Sequence, residues 1–441
     1  MIESPPLLRN KNMGEAIGLL GDPQLVSLLN KIESDYLYWD KVKYYAPEGV
    51  NPEVLWHAVK LRRSFGAINL TFGNLHFHFT ITSKMQQLLH EFDLNFGGNI
   101  GSDSIIPEKN QRYYLINSIM EEAIASSQME GASTTRKIAK EMLRKQSKPM
   151  DKSQQMIVNN YNTISFLVEH KNEDLSIEKL LEVHRYISNN TLNDPAAEGT
   201  LRTADTICVM NDITGEIVHT PPPAANLRDL LSQLCDFANN DNINPFIHPI
   251  IKGIIIHFML AYFHPFLDGN GRTSRSLVYW YLLKKGYWMT EFLSISRIIY
   301  KNKAQYEKAF LYTENDSMDL SYFINFNLIS MKKAYEDLKT YLQKKIREQK
   351  ASLEFTGLYH INERQAEIIR IYTEQPKTLL TAKEMATRFS ITMKTARTDL
   401  QSLVELGLIA ESPMNKRTIG YIRSKDFDTK LAEMKSQQES N

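Results

Sequence analysis

The sequence predicts a mostly α-helical protein. Its parts are a mixed helical region at the N-terminus, a long helical bundle interrupted by a β-hairpin, and a winged helix-turn-helix at the C-terminus. Three observations predict it. From about Arg112 to Gln349, helical patterns dominate. Inside that stretch two short apolar runs, Ile207–Met210 and Ile217–Thr220, flank the polar, Gly-bearing turn 211–215, which reads as a hairpin, and Pro221–Pro223 deny the second run further pairing. Beyond residue 362 the order is helix, short capped helix, turn, longer helix, then two apolar runs.

Composition narrows the function classes. A chain of 441 residues can bury a large core, and its length suggests about three domains. The net charge is +1, so any contact with nucleic acid or an anionic membrane must be local. Cys208 and Cys235 form neither a disulfide framework nor a metal-ligand spacing, and a reduced, cytoplasmic setting is expected. The start, Met1–Pro6, lacks the basic flank and apolar run of a signal peptide. The longest apolar stretch, Ile254–Phe263, carries His257 and is too short to span a bilayer, so no membrane partner is expected.

The elements follow in order. Residues 1–101 read as an accessory region: helical pieces Pro23–Tyr36 and Pro52–Phe65, an aromatic run Ile68–Phe79, and an amphipathic stretch Ser83–Phe92. They carry no chemistry, and their expected job is packing against the catalytic part. The Gly-rich connection Gly97–Ser104 marks the boundary to a second domain, 102–349. There Leu175–Ile187 reads as a helix whose His184 is packed rather than functional. Ile250–Phe263 is apolar nearly all round, as a central buried helix requires, with His257 as hydrogen-bonded core. A third domain spans 362–427, and 428–441 reads as a fraying polar tail.

The segment His264–Arg275 concentrates the chemistry. Gly269-Asn270-Gly271 can turn successive N–H groups toward one anion, and the helix expected to follow points its positive end at the same place. Arg272 and Arg275, three apart, add phosphate-binding forks on one helix face. Asp268 is a hard oxygen ligand suited to Mg²⁺ beside a polyphosphate. His264 is a proton acceptor near neutral pH. Phe266 would anchor the loop beneath it.

These residues fill every fixed position of HxFx(D/E)GNGRxxR, and the chain thereby resembles the Fic family, whose members mostly transfer AMP from ATP to protein hydroxyls. The resemblance implies a Fic-fold bundle and a protein adenylyltransferase using ATP and Mg²⁺, with His264 as base. It also implies a nucleotide site from Asp268, Gly269, Asn270, Gly271, Arg272 and Arg275, with Tyr306 bordering the adenine. The hairpin resembles the family's flap, on which Val209, Met210, Val218, His219 and Thr220 would hold the target by strand addition. Ser126-Ser127-Gln128-Met129-Glu130-Gly131 resembles the family's inhibitory motif (S/T)xxxE(G/N), placed near 112–131, N-terminal to the core. By that resemblance Glu130 would take Arg275 from the γ-phosphate, with Ser126 beside it. Removal of AMP at the same site is the family's other direction. The implied partner is a protein with a Ser, Thr or Tyr hydroxyl, including this chain itself, and a homodimer is a further expectation.

The C-terminal pattern opens a different class of function. In a winged helix Lys394, Thr395, Arg397, Thr398 and Gln401 would face out of the second helix, where a recognition helix reads the major groove, and Lys416 and Arg417 would sit at the wing tip. Such modules also dock proteins. The competing reading is a DNA-binding transcriptional regulator with a nucleotide-sensing domain.

Overall fold

The computed structural model describes residues 2–7, 12–97, 111–211, 214–356, 358, 361–415 and 418–439. The expected boundary loop from residue 98 onward, Asp212 and Ile213 of the hairpin turn, and Lys416 and Arg417 lie outside the described residues. The molecule is mainly helical, and its strands fall in three small sheets. Among the described residues no helix is long and apolar enough to cross a membrane. The chain divides into two compact units. One comprises Met1–Asn99, Glu121–Thr134 and Met150–Ala334; the other comprises Ile100–Met120, Thr135–Pro149 and Tyr335–Asn441.

The first unit opens with α1 (Met13–Gly21), α2 (Val26–Ser34), α3 (Trp39–Val42) and α4 (Pro52–Ser64). Pro52 at the first helical position and the Asn51 side chain, accepting from the Glu53 N–H, start α4 where the orphan donors need partners. A hairpin follows, β1 (Ile68–Phe72) against β2 (Leu75–Phe79), then α5 (Ser83–Phe96). The next helix, α6 (Gln111–Met129), gives its last nine residues to this unit, and α7 (Arg136–Lys145) belongs to the other. The unit then runs through α8 (Lys152–Glu169), α9 (Ile177–Ser188), the hairpin β3 (Val209–Met210) and β4 (Ile217–His219), and α10 (Leu227–Asn239). It continues with α11 (Pro249–Phe263), α12 (Asn270–Lys284), α13 (Ile295–Lys301), α14 (Lys303–Asn315) and the start of α15 (Ser321–Thr356). Thirteen of the fifteen residues of α11 are buried, as its all-round apolar sequence requires.

The N-terminal elements pack against α11 and the chain leading into α15, as expected of an accessory region. Phe72 and Phe77 set their rings edge-on against Phe263, Phe258 and Tyr262 of α11, at centroid distances of 5.5–6.1 Å. Arg63, 3% exposed, donates to the Tyr322 hydroxyl at 2.8 Å and lies over the Tyr36 ring, whose hydroxyl donates to Asp319 on the chain leading into α15. These contacts are long-range and leave no trace in composition.

In the second unit, the end of α15 is followed by α16 (Glu363–Glu374), β5 (Leu380–Thr381), α17 (Ala382–Phe389), α18 (Met393–Glu405), β6 (Ile409–Asn415), β7 (Thr418–Arg423) and α19 (Phe427–Glu439). The sheet order is β5-β7-β6, all antiparallel. Asn362 and Gln365 form a capping box at α16. Ser390, left-handed at φ 53°, ends α17, and Thr392 caps α18. Ile369, Tyr372, Leu380, Leu400, Leu403 and Leu408 fill the core. Phe427 and Leu431 join it, so residues 427–439 are a docked helix and not the expected polar tail. α7 packs on α17, where the Thr387 hydroxyl donates to the Arg144 carbonyl at 3.1 Å.

Candidate active site

The loop between α11 and α12 carries His264 to Gly269. His264 ends α11 in the left-handed region at φ 47°, a turn that projects its ring out of the helix axis. Its Nδ1–H donates to the Ala261 carbonyl at 3.4 Å, which leaves Nε2 as the basic nitrogen. Burial pushes the imidazole down to about 4, against a smaller upward pull from the Ala261 carbonyl. The ring is therefore neutral and able to accept a proton at physiological pH.

The rest of the loop is held by side chains. Asn270 clamps Phe266 from both sides, accepting from its N–H at 2.9 Å and donating to its carbonyl at 2.8 Å. Phe266 is fully buried. Its ring stacks on His184 at 3.7 Å and 3°. The Gly199 N–H donates to His184 Nδ1, so Nε2–H must donate to the Asp268 carbonyl, at 2.9 Å. His184, read from sequence as packing alone, is thus a support of the loop.

Arg202 is a second support that sequence reasoning missed. Its Nε donates to the His264 carbonyl at 2.9 Å and its other nitrogens reach Ala204, Asp205 and Pro222, joining both ends of the hairpin segment to the loop. The available signal in the sequence was an arginine three residues after a glycine, Gly199, which the structure shows to be left-handed.

An anion cradle opens at the start of α12. Gly269, at φ 82°, precedes the first turn, and a Cβ on Gly271 would collide with the Glu130 carboxylate. Arg272 is fully buried; it donates to the Ile187 carbonyl at 3.3 Å and reaches Asp268 Oδ1 at 3.5 Å, and its Nε has no partner among the described residues. A buried, unsatisfied guanidinium N–H beside an open cradle is the feature a phosphate would complete. Asp268 spends Oδ1 on the Gly269 N–H at 2.5 Å and remains half exposed, and no group of three metal-ligating side chains occurs among the described residues. One exposed carboxylate fits Mg²⁺ held mainly by phosphate and water, not a cage of protein ligands.

Glu130 sits in that cradle. Its Oε1 accepts from Arg275 Nη2 at 2.9 Å, while the same guanidinium donates to the Ser126 hydroxyl at 3.0 Å and the Ser126 carbonyl at 2.9 Å. The carboxylate stands where an anion on the N-terminus of α12 would stand. About two turns earlier, on α6, buried Glu122 accepts from the Ser296 N–H at 2.9 Å.

A cavity of about 570 Å³ connects these groups, lined by Glu130, Val209, Met210, Val218, His219, His264, Asn270, Gly271, Arg275 and Tyr306. Tyr306 is buried, and its hydroxyl meets His257 Nε2 at 2.9 Å, giving His257 the expected core role. β3 and β4 pair over only Val209–His219 and Met210–Ile217. Val209 and Val218 are half-buried, Met210 and Thr220 exposed. His219 lines the cavity and turns inward, with Nδ1 2.8 Å from Glu314 and Nε2 2.7 Å from the Tyr262 carbonyl. Thr220 lies outside the lining.

Residues 174–282 match the profile of the Fic/DOC family. The chain carries a Fic domain. It is 32% identical over 124 residues to a protein named protein adenylyltransferase Fic from Culex quinquefasciatus, covering 28% of this chain and 23% of that protein. It is 31% identical over 121 residues to protein adenylyltransferase fic-1 of Caenorhabditis elegans, covering 27% and 22%. The match therefore spans about a quarter of the length of these curated relatives. The crystal structure of a Fic family protein from Desulfovibrio desulfuricans superposes with a TM-score of 0.50 at 17% identity, over 78% of this chain and 97% of that one, and shows a shared fold.

Proposed function

We propose that this protein is a protein adenylyltransferase, moving AMP from ATP to a Ser, Thr or Tyr hydroxyl, and that Glu130 restrains it. The observation that carries the reading is the Arg272–Gly271–Arg275 cradle beside a neutral His264, with a carboxylate from α6 inside it.

The polyphosphate would lie on the N-terminus of α12, its oxygens meeting Arg272 Nε and, once Glu130 has left, Arg275. Asp268 would hold Mg²⁺ against the phosphates, and the ion would neutralise their charge. A target hydroxyl presented along β3 and β4 gives its proton to His264 Nε2 as its oxygen attacks the α-phosphorus. The new O–P bond forms as the bond to the β-phosphate oxygen breaks, and pyrophosphate leaves. The protein supplies position and charge. Asn270 and His184 act through the loop, and Tyr306 closes the base side of the cavity.

Intact-mass spectrometry with Mg²⁺ and ATP tests this. Glu130→Gly should gain one AMP mass, wild type little, and Glu130→Gly with His264→Ala none. An adduct of equal size in the double variant would remove His264 from the chemistry. Removal of AMP by the same site is the second reading, supported by the place of Glu130, whose free oxygen could orient a water. For the second unit, the order α16, β5, α17, α18, β6, β7 supports a winged helix with a DNA or protein partner. Two free cysteines, Cys208 and Cys235, support a cytoplasmic setting. A homodimer and modification of the chain itself belong to the same proposal.

A further inference from the structure

The inhibitory segment is an excursion. Glu121–Thr134 packs in the catalytic unit, but the residues on both sides of it, Ile100–Met120 and Thr135–Pro149, belong to the C-terminal unit. The chain therefore enters and leaves the Glu130 segment from residues of the C-terminal unit.

That unit has a surface suited to a ligand. A groove of about 970 Å³ runs beside α18 and β7, lined among others by Lys145, Lys383, Arg397, Thr398, Gln401 and Tyr421. Lys394, Arg397, Thr398 and Gln401, at spacings of three, four and seven, share one exposed face of α18. Among the described residues Lys383, Lys394 and Arg397 carry no ion pair, whereas most charged side chains of α16 and α17 are paired. Unpaired cations on the exposed face of α18 and at the start of α17 are an electrostatic footprint for a polyanion. Two carboxylates also line the groove, Glu405 and Glu411; Glu405 is the last residue of α18, away from its amino-terminal turns. A recognition helix in a major groove uses its amino-terminal turns on base edges, where Arg, Gln and Thr are suitable readers. The left-handed Ser390 and the Thr392 cap set α18 against α17 as such a pair of helices requires.

Lys145 is the link. It ends α7, the helix that follows the inhibitory segment after a short turn, and it lines the same groove as Arg397. We propose that this groove takes duplex DNA, with α18 in the major groove and Lys145 on a backbone phosphate, and that an occupied groove draws Glu130 away from Arg275 through residues 135–149. The second half rests on the reading of Glu130 as inhibitor; the first half does not.

Fluorescence anisotropy of the full chain with a labelled mixed-sequence duplex tests the site. Affinity should fall with salt, Lys394→Ala with Arg397→Ala should weaken it roughly tenfold or more, and Lys145→Ala should lower the log–log salt slope by about 1. All three side chains are at the surface, so the fold should survive their loss. Hydrogen exchange at the amides of 123–129, with and without duplex, tests the coupling, and exchange should quicken on binding. Absence of binding at low salt, or binding untouched by the double variant, overturns the DNA site. Capture of a polyglutamate peptide in its place assigns the groove to an acidic protein and overturns it too. Binding with unchanged exchange overturns the coupling. Neither readout needs AMP transfer, so a Glu130→Gly protein that binds duplex yet gains no AMP would count against the catalytic reading alone.

Discussion

The Glu130 carboxylate meets the Arg275 guanidinium at 2.9 Å, directly above Gly271, where the first turn of α12 presents its free N–H groups. Arg275 is 3% exposed and holds Ser126 by two further hydrogen bonds. One arginine thus ties the end of α6 to the start of α12.

Glu130→Gly should lower the thermal midpoint by several degrees. It strips the carboxylate from a buried guanidinium, a loss on the order of 3 kcal/mol. Mg²⁺ with ATP should restore more of the midpoint in the variant than in wild type, since a ligand at 100 times its Kd adds about 2.7 kcal/mol. Differential scanning calorimetry with and without nucleotide checks both shifts; equal nucleotide shifts in the two proteins would mean that Glu130 does not compete.

The acid limb of kcat/KM should fall near pH 4 and not near the ordinary imidazole value of 6.5, because burial depresses the His264 pKa to about 4 and the base stays neutral down to that pH. Glu130 pulls that value upward, so its removal moves the limb lower still. Rates of Glu130→Gly and Glu130→Asp between about pH 4 and pH 7 read the limb directly, the second variant keeping a shorter carboxylate.

His184→Ala should reduce transfer roughly a hundredfold with little change in nucleotide affinity. It removes the bond to the Asp268 carbonyl and the stack on Phe266, and small misplacements of reacting groups cost about that much. Titration of ATP by calorimetry alongside single-turnover rates separates the two. A matching loss of affinity would make His184 part of the nucleotide site itself.

Stability should decline below about pH 6.5. His184 and His264, at about 4, and His257, at about 3, remain neutral in the fold, whereas each takes a proton near 6.5 once unfolded. The unfolded chain then binds more protons. Each group's contribution is complete above 6.5 and lost at about 1.4 kcal/mol per pH unit below it, down to its folded value. Urea unfolding of wild type and His257→Gln at descending pH checks the slope, which should be shallower in the variant.

Sequence carried the chemistry of His264 to Arg275 because those residues are contiguous, and a loop followed by a helix start brings them together whatever surrounds it. Glu130 was legible through a short motif in the right place. His184 and Arg202 were not, because their roles depend on which way a helix and a hairpin base face, and that is fixed by distant partners such as Asp268 and Pro222. The inward turn of His219 was not legible for the same reason: β4, three residues long, has too little alternation to orient it. In the tail, Phe427 and Leu431 did show helical spacing, but the polar run after Lys435 outweighed them.

The aromatic seam of Phe72 and Phe77 on α11 means that the segment matching the Fic profile is not a portable cassette. Cut at residues 174–282, it would keep His264 and both arginines, yet leave the rings of Phe258, Tyr262 and Phe263 wet and lose Glu130 in the same stroke. Transplanted between proteins, such a domain must bring its own lining along, and a lineage that reshuffles it inherits residues far outside the recognisable motif.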